Sequence, residues 1–194
     1  EEKIFEYDAV EGNGDRTGVR IIDQTRLPHE EVFLTLTTPE EIYQAIYLLK
    51  VRGAPAIGVA AAFGMYVSVL PIGGPLEHFV AEFRRIKQYL QSSRPTAVNL
   101  SYALGRMENC LERNIALGLE GVKKALLAEA EEIKAEDVQM CRAIAENGLT
   151  LMKPGVRILT HCNAGHLAVS RYGTALGPIH LAQQRGLNPR VWVD

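Results

Sequence analysis

The run A-P-A-I-G-V-A-A-A-F-G-M-Y-V-S-V-L, Ala54 to Leu70, carries no charged residue and is stopped by Pro71. Such a segment has to be hidden from water on every side, in a bilayer or at the centre of a core. It is shorter than the roughly 20 apolar residues a spanning helix needs, and Ala and Gly dominate it. A helix that is apolar all round and built of small residues reads as a central core helix, with neighbours packed closely around it. The chain can build that core: it has 194 residues, 47% of them hydrophobic, enough for one ordinary domain or two small ones.

Other helices are signalled on both sides. Thr38-Pro39-Glu40-Glu41 is a capping box with proline at the first helical position, and Ile42, Ala45, Ile46 and Leu49 follow at helical spacing. Phe79, Phe83, Ile86 and Leu90 mark an amphipathic helix opened by Pro75, and Pro95 is expected to open another. Glu120 to Met152 reads as one or two extended helices, with E-E-I-K-A-E-D as a solvated face. Before all of these, Ile4 to Ile22 reads as strand, turn, strand. Its turn, E-G-N-G-D-R-T-G, holds a loose G-x-G, but a strand follows it rather than the helix a dinucleotide fingerprint needs.

The pattern changes after Lys153-Pro154-Gly155. Val156 to Thr160 reads as a buried-type strand, Leu167 to Arg185 as a helix capped by Gly186, and Arg190 to Val193 as a second strand. Strand, helix and strand of these lengths make a βαβ unit, the start of a parallel sheet. Two parallel strands are not independently stable. The expectation is therefore an α/β chain in two parts. Residues 1–120 form a hairpin and helical domain, and residues 121–194 form connecting helices and the first βαβ unit of an incomplete Rossmann-like domain. Either the polypeptide continues, or another chain completes the sheet.

The formal net charge of −2 gives no reason to expect nucleic acid or an anionic membrane as partner. Three widely spaced cysteines do not make a disulfide framework, so a reducing, cytoplasmic setting is expected. The opening E-E-K-I-F-E-Y does not read as a signal peptide.

Chemistry concentrates at three stretches. In T-H-C-N-A-G, Cys162 stands at the carboxyl end of the predicted strand, where open α/β sheets bind ligands. Amides of a following helix could favour its thiolate, and Asn163, Ala164 and Gly165 allow a tight turn with N–H groups facing a ligand. From position alone, Cys162 is equally a small residue packing the strand end. Cys110 and Cys141 lie within helical patterns and read as core. His161, Cys162, His166 and His180 have no recognised zinc spacing, so no metal is expected. In V-R-G-A-P-A-I-G and S-R-P-T-A-V-N-L, Arg52 and Arg94 each precede a helix start. A helix N-terminus attracts phosphate, and a guanidinium beside it adds a bidentate fork. Gly53 would let backbone approach such a ligand closely.

D-Q-T-R-L-P (Asp23 to Pro28), V-R-G-A-P-A-I-G-V-A-A-A-F-G (Val51 to Gly64), R-P-T-A-V-N-L (Arg94 to Leu100), T-H-C-N-A-G (Thr160 to Gly165) and Y-G-T-A-L-G (Tyr172 to Gly177) together resemble the methylthioribose-1-phosphate isomerase family, in the family's order and over nearly the whole chain. The resemblance implies an aldose–ketose isomerase of methionine salvage, acting on a phosphorylated pentose as a cytoplasmic homodimer without metal or redox cofactor. It implies substrate contacts at Arg52, Gly53, Ala54 and Arg94, and a chemical role for Cys162. It also implies a ring-opening aspartate, a glutamine and an Asn-Lys pair beyond Asp194, which is not itself that aspartate. The 194-residue chain alone is accordingly expected to be inactive. His166 and Arg171 depart from the small residues expected there and read as exposed loop and helix residues. The same superfamily holds ribose-1,5-bisphosphate isomerase and non-catalytic regulatory subunits of translation initiation factor 2B. T-H-C-N-A-G and R-P-T-A-V-N-L favour the enzyme, and Y-G-T-A-L-G argues against the bisphosphate isomerase.

Overall fold

The computed structural model describes residues 7–194. It begins with an antiparallel sheet of β1 (Val10–Gly12), β2 (Val19–Ile22) and β3 (Phe33–Leu36), in that order. The β1–β2 turn is the expected hairpin. The Asn13 carboxamide oxygen accepts the N–H groups of Thr17 and Gly18, each at 2.9 Å, and the Asp15 carboxylate accepts the Thr17 hydroxyl at 2.6 Å. Ile4 to Glu6 of the expected first strand lie outside the described residues. β3 was not signalled in the sequence, because F-L-T-L follows a proline and charged segment and is too short for its alternation to stand out.

Six α-helices follow: α1 (Pro39–Tyr47), α2 (Ala54–Val69), α3 (Leu76–Ser92), α4 (Val98–Asn114), α5 (Gly118–Leu149) and α6 (Leu176–Gln184). The capping box of α1 forms in full. The Glu41 N–H donates to the Thr38 hydroxyl at 3.2 Å, and the Glu41 carboxylate accepts the Thr38 N–H at 3.2 Å. Leu49, expected on this helix, lies beyond its end. It takes φ 60° and is 40% exposed, because the chain must turn sharply to enter α2.

α2 is the central helix the composition demanded. Every residue from Ala56 to Val69 is buried. Its small residues let neighbours close in: a Cβ on Gly64 would stand 2.7 Å from Ile42 Cγ2 of α1. α3 buries Phe79, Phe83, Ile86 and Leu90 against this body. Each large side chain removed from water contributes about 1.5–3 kcal/mol. α4 begins later than expected. Pro95 stands in a turn, closed by the Ala97 N–H donating to the Arg94 carbonyl at 3.0 Å, and Ala97 is the N-cap.

α5 is one helix of 32 residues, about 48 Å long at 1.5 Å per residue. Val122, Leu126, Ala130 and Ile133 enter the helical core; Cys141 and Ala145 lie further along. Cys141 packs with Val169 and Tyr172, and Ala145 faces Gly177 of α6. Two parallel strands, β4 (Arg157–Thr160) and β5 (Arg190–Val193), pair with Arg157 opposite Arg190 and Thr160 opposite Val193. β5 is exposed throughout. The connection is not the continuous helix expected over Leu167 to Arg185. A 3-10 turn at His166–Ala168 leads into an irregular segment, and α6 starts only at Leu176. Tyr172 at φ 76° and Gly173 at φ 98° cannot continue a right-handed helix. Gly186 is left-handed just past α6, and the Leu187 N–H caps the Ala182 carbonyl at 2.9 Å. Among the described residues, no helix is long and apolar enough to cross a membrane.

Candidate functional site

Where the helical body meets the loop after β4, a cavity of about 650 Å³ opens. Arg52, Gly53, Ala54, Arg94, Cys162 and Asn163 line it together. Residues more than a hundred positions apart thus face one space. Ala164 and Gly165, expected with them, do not line it; they stand behind the Cys162 turn. The Ala164 carbonyl accepts the N–H groups of Thr174 at 3.0 Å and Leu176 at 3.3 Å, and a Cβ on Gly165 would press within 2.9 Å of Leu176.

The wall on the body side is made of two helix starts. Gly53 is the N-cap of α2, and Ala97 is the N-cap of α4; Ala54, Val98 and Asn99 complete their first turns at the cavity. Neither cap makes a side-chain hydrogen bond, and neither first turn carries an acidic residue. Both positive helix ends therefore lack a capping side chain and a first-turn carboxylate near the space. Arg52 and Arg94 add full positive charges, and among the described residues no Asp or Glu lines the cavity. In its electrostatics the cavity suits an anion such as a phosphate ester. A second hollow of about 700 Å³ between α4 and α5 contrasts with it. There Arg106 is held by Glu129 at 2.7 Å and by Glu136, so its charge is already spent on the protein.

Gly53 fixes the closeness of the two sides. It takes φ 97°, and a Cβ there would stand 2.4 Å from the Ala168 Cα. Only glycine allows the α2 start to touch the loop after β4.

Cys162 is exposed and left-handed at φ 68°, two residues past the end of β4 at Thr160. The helix expected to follow it directly is absent, so the helix-amide account of its reactivity does not apply. The other cysteines are buried. Burial pushes both thiols up, helped by Glu129 for Cys110 and by Asp137 for Cys141, the latter to about 12. Both are thereby held more firmly in the neutral thiol form than an ordinary cysteine. His166 and Arg171 are not exposed, contrary to expectation. His166 is 5% exposed, and burial above all lowers its imidazole to about 4, outweighing the opposing pull of Asp8. Arg171 is drawn inward by the buried Asp8 carboxylate, its Nε donating at 2.6 Å.

Sequence reasoning missed Leu49, Thr96, Asn99, Ala168, Val169 and Thr174 as cavity residues. Thr96 and Asn99 stand inside R-P-T-A-V-N-L and Thr174 inside Y-G-T-A-L-G, so the stretches were visible and the pointing of their side chains was not.

Residues 50–194 match the model of the Initiation factor 2 subunit family. A protein of Parabacteroides distasonis named methylthioribose-1-phosphate isomerase is 57% identical over 183 residues, which are 94% of this chain and 55% of that protein. One of Petrotoga mobilis named 5-deoxyribose 1-phosphate isomerase is 54% identical over 90% of this chain and 50% of its own length. The crystal structure of 5-methylthioribose 1-phosphate isomerase from Pyrococcus horikoshii OT3 superposes with a TM-score of 0.90 at 29% identity, covering 98% of this chain and 61% of that one. The chain spans about half the length of the curated relatives it matches.

Proposed function

Because this chain belongs to the Initiation factor 2 subunit family, we propose that it carries the phosphate- and thiol-bearing part of an aldose–ketose isomerase converting 5-methylthioribose 1-phosphate to 5-methylthioribulose 1-phosphate in methionine salvage. The observation that carries this reading is the cavity in which Arg52, Arg94, two helix starts without side-chain caps and the exposed Cys162 meet. The names of the relatives from Parabacteroides distasonis and Pyrococcus horikoshii support it.

The chemistry explains the residue types. Phosphate on C1 blocks the simple ring opening of a free sugar, so an acid must protonate the ring oxygen. The C2 proton must then move to C1, or a hydride must shift between these carbons. Arg52, Arg94 and the two helix starts would hold the phosphate dianion and fix C1 and C2 against the loop after β4. Cys162 would take the C2 proton and return it at C1 in the proton route. In the hydride route it would stabilise developing charge. The ring-opening acid is expected outside these 194 residues, with β4, α6 and β5 as the start of a Rossmann-like sheet. A cytoplasmic homodimer completes the reading.

A second reading concerns the substrate. The Petrotoga mobilis relative is named for 5-deoxyribose 1-phosphate, a sugar with the same C1 phosphate and no C5 oxygen. The deciding experiment offers the intact protein each sugar phosphate separately, ribose 1,5-bisphosphate included, and follows ketose formation. The expected outcome is turnover of methylthioribose 1-phosphate. Preference for the deoxy sugar moves the assignment to the second reading. Nucleotide binding with no sugar turnover places the chain with the regulatory subunits.

A further inference from the structure

We propose that Arg171 and Asp8 are positioning residues for the Cys162 loop. The inference rests on the isomerase reading above and deepens it by naming what holds the thiol in place. Arg171 sits in the irregular segment between the 3-10 turn and α6. Its Nε and Nη2 donate to the two oxygens of Asp8 at 2.6 and 2.9 Å, a bidentate fork. Lys134 of α5 donates to the same carboxylate at 2.6 Å. The Asp8 side chain is 5% exposed, against 15% for Arg171 and 18% for Lys134. The cluster is largely sheltered from water, so its geometry is sharply defined rather than screened.

The residues around this fork reach the cavity in both chain directions. On one side, the Ser170 N–H donates to Asp137 of α5 at 2.7 Å, and its carbonyl accepts the Ala9 N–H at 3.0 Å. Val169 and Ala168, immediately before, line the cavity. On the other side, Thr174 donates its N–H to the Ala164 carbonyl at 3.0 Å, two residues from Cys162. The fork thus braces the segment whose one end walls the cavity and whose other end props the turn carrying the thiol. Long α5 supplies Lys134 and Asp137 as fixed posts, and the strand β1 region supplies Asp8. A shift of about 1 Å in a reacting group can cost on the order of a hundredfold in rate.

The test uses the intact protein with Arg171→Lys, which keeps the charge and loses the planar fork, and Asp8→Asn beside it. The readouts are kcat and KM per folded molecule, thermal midpoint, and the rate at which iodoacetamide modifies Cys162, followed on its own peptide. For Arg171→Lys the expected result is a fall in kcat of roughly tenfold, a smaller change in KM, and an altered alkylation rate. Asp8→Asn is expected to act in the same direction and to lower the midpoint further. A purely structural role would lower the midpoint and leave kcat and alkylation of the folded protein unchanged, and that result overturns the proposal. If the unaltered protein turns over no sugar phosphate, the functional reading fails. The alkylation rates still decide the positioning claim.

Discussion

Two regions face each other across the cavity and are built on different principles. The helical body has one continuous core around α2, with Phe79, Phe83 and Leu90 fully buried. The segment from β4 to β5 packs Val169 and Tyr172 against Cys141 of α5 in a small cluster, and has a two-stranded sheet whose Leu159 and Val193 are 74% and 78% exposed. The body presents helix ends and arginines, which need only be rigid and positive. The second region presents the thiol, and it is held by polar ties: the Asp8–Arg171 fork, the Asp137–Ser170 bond and the Ala164 carbonyl. Charge placement is thus assigned to apolar packing, and thiol placement to directional hydrogen bonds, which fix angles better than packing does.

The largest effect that could break this contrast is chemical. Cys162→Ser in the intact protein should keep its thermal midpoint and lose about 10²–10⁴-fold in kcat, the usual worth of a general acid–base group. Cys110→Ser, inside the core, should lose stability and keep its turnover. Measuring kcat and thermal unfolding for both decides the matter; near-normal kcat in Cys162→Ser removes that exposed thiol from the chemical step. Next comes stability. Phe83→Ala should cost about 3–5 kcal/mol in denaturant unfolding of this chain. Val193→Ala should stay within about 0.5 kcal/mol, as exposed positions do. Similar losses would mean that the sheet is packed as the body is.

A smaller effect separates the arginines. Arg94→Ala should weaken binding of the phosphorylated substrate by about 1.5–3 kcal/mol, the worth of a hydrogen bond to a charged group. Arg113→Ala should not, because that side chain is 70% exposed and lies beside Glu129 in the other hollow. Equal losses by calorimetry would move the anion site away from the helix starts. The smallest effect is in acid. His166 is held neutral to about 4 by burial, while an unfolded imidazole takes its proton near the ordinary value of 6.5. The unfolded state therefore binds more protons in between, and stability is full above about 6.5 and declines as pH falls toward 4. Asp137, raised by burial, contributes with the opposite sign. Replacing His166 by Gln should flatten the slope in that window, and an unchanged slope in pH-dependent unfolding would remove His166 as its source.

The body was far more legible in the sequence than the loop region. The capping box at Thr38, the Phe79–Leu90 stripe and the uncharged α2 are local patterns, and local patterns survive folding because the helix repeat is set by the backbone itself. β3 was invisible because its strand depends on a partner, β2, for pairing. The segment after His166 read as helical because Leu167, Ala168 and Val169 are apolar. What bends it are left-handed residues and long-range ties to Asp8 and Asp137, and neither has a periodic signature. Of the site, the residue stretches could be named from sequence. That Arg52 and Arg94 share one space with Cys162, while Ala164 and Gly165 turn away from it, follows only from the fold.

The long α5 helix has one more consequence. It places Ala130 and Ile133 in one hydrophobic cluster and Cys141 in the other, without a break between them. A rod shared by two clusters joins their opening events. Amide protons across the middle of α5 should exchange with deuterium only when both clusters open together, so the βαβ segment should show no separate, earlier unfolding step of its α5 contacts.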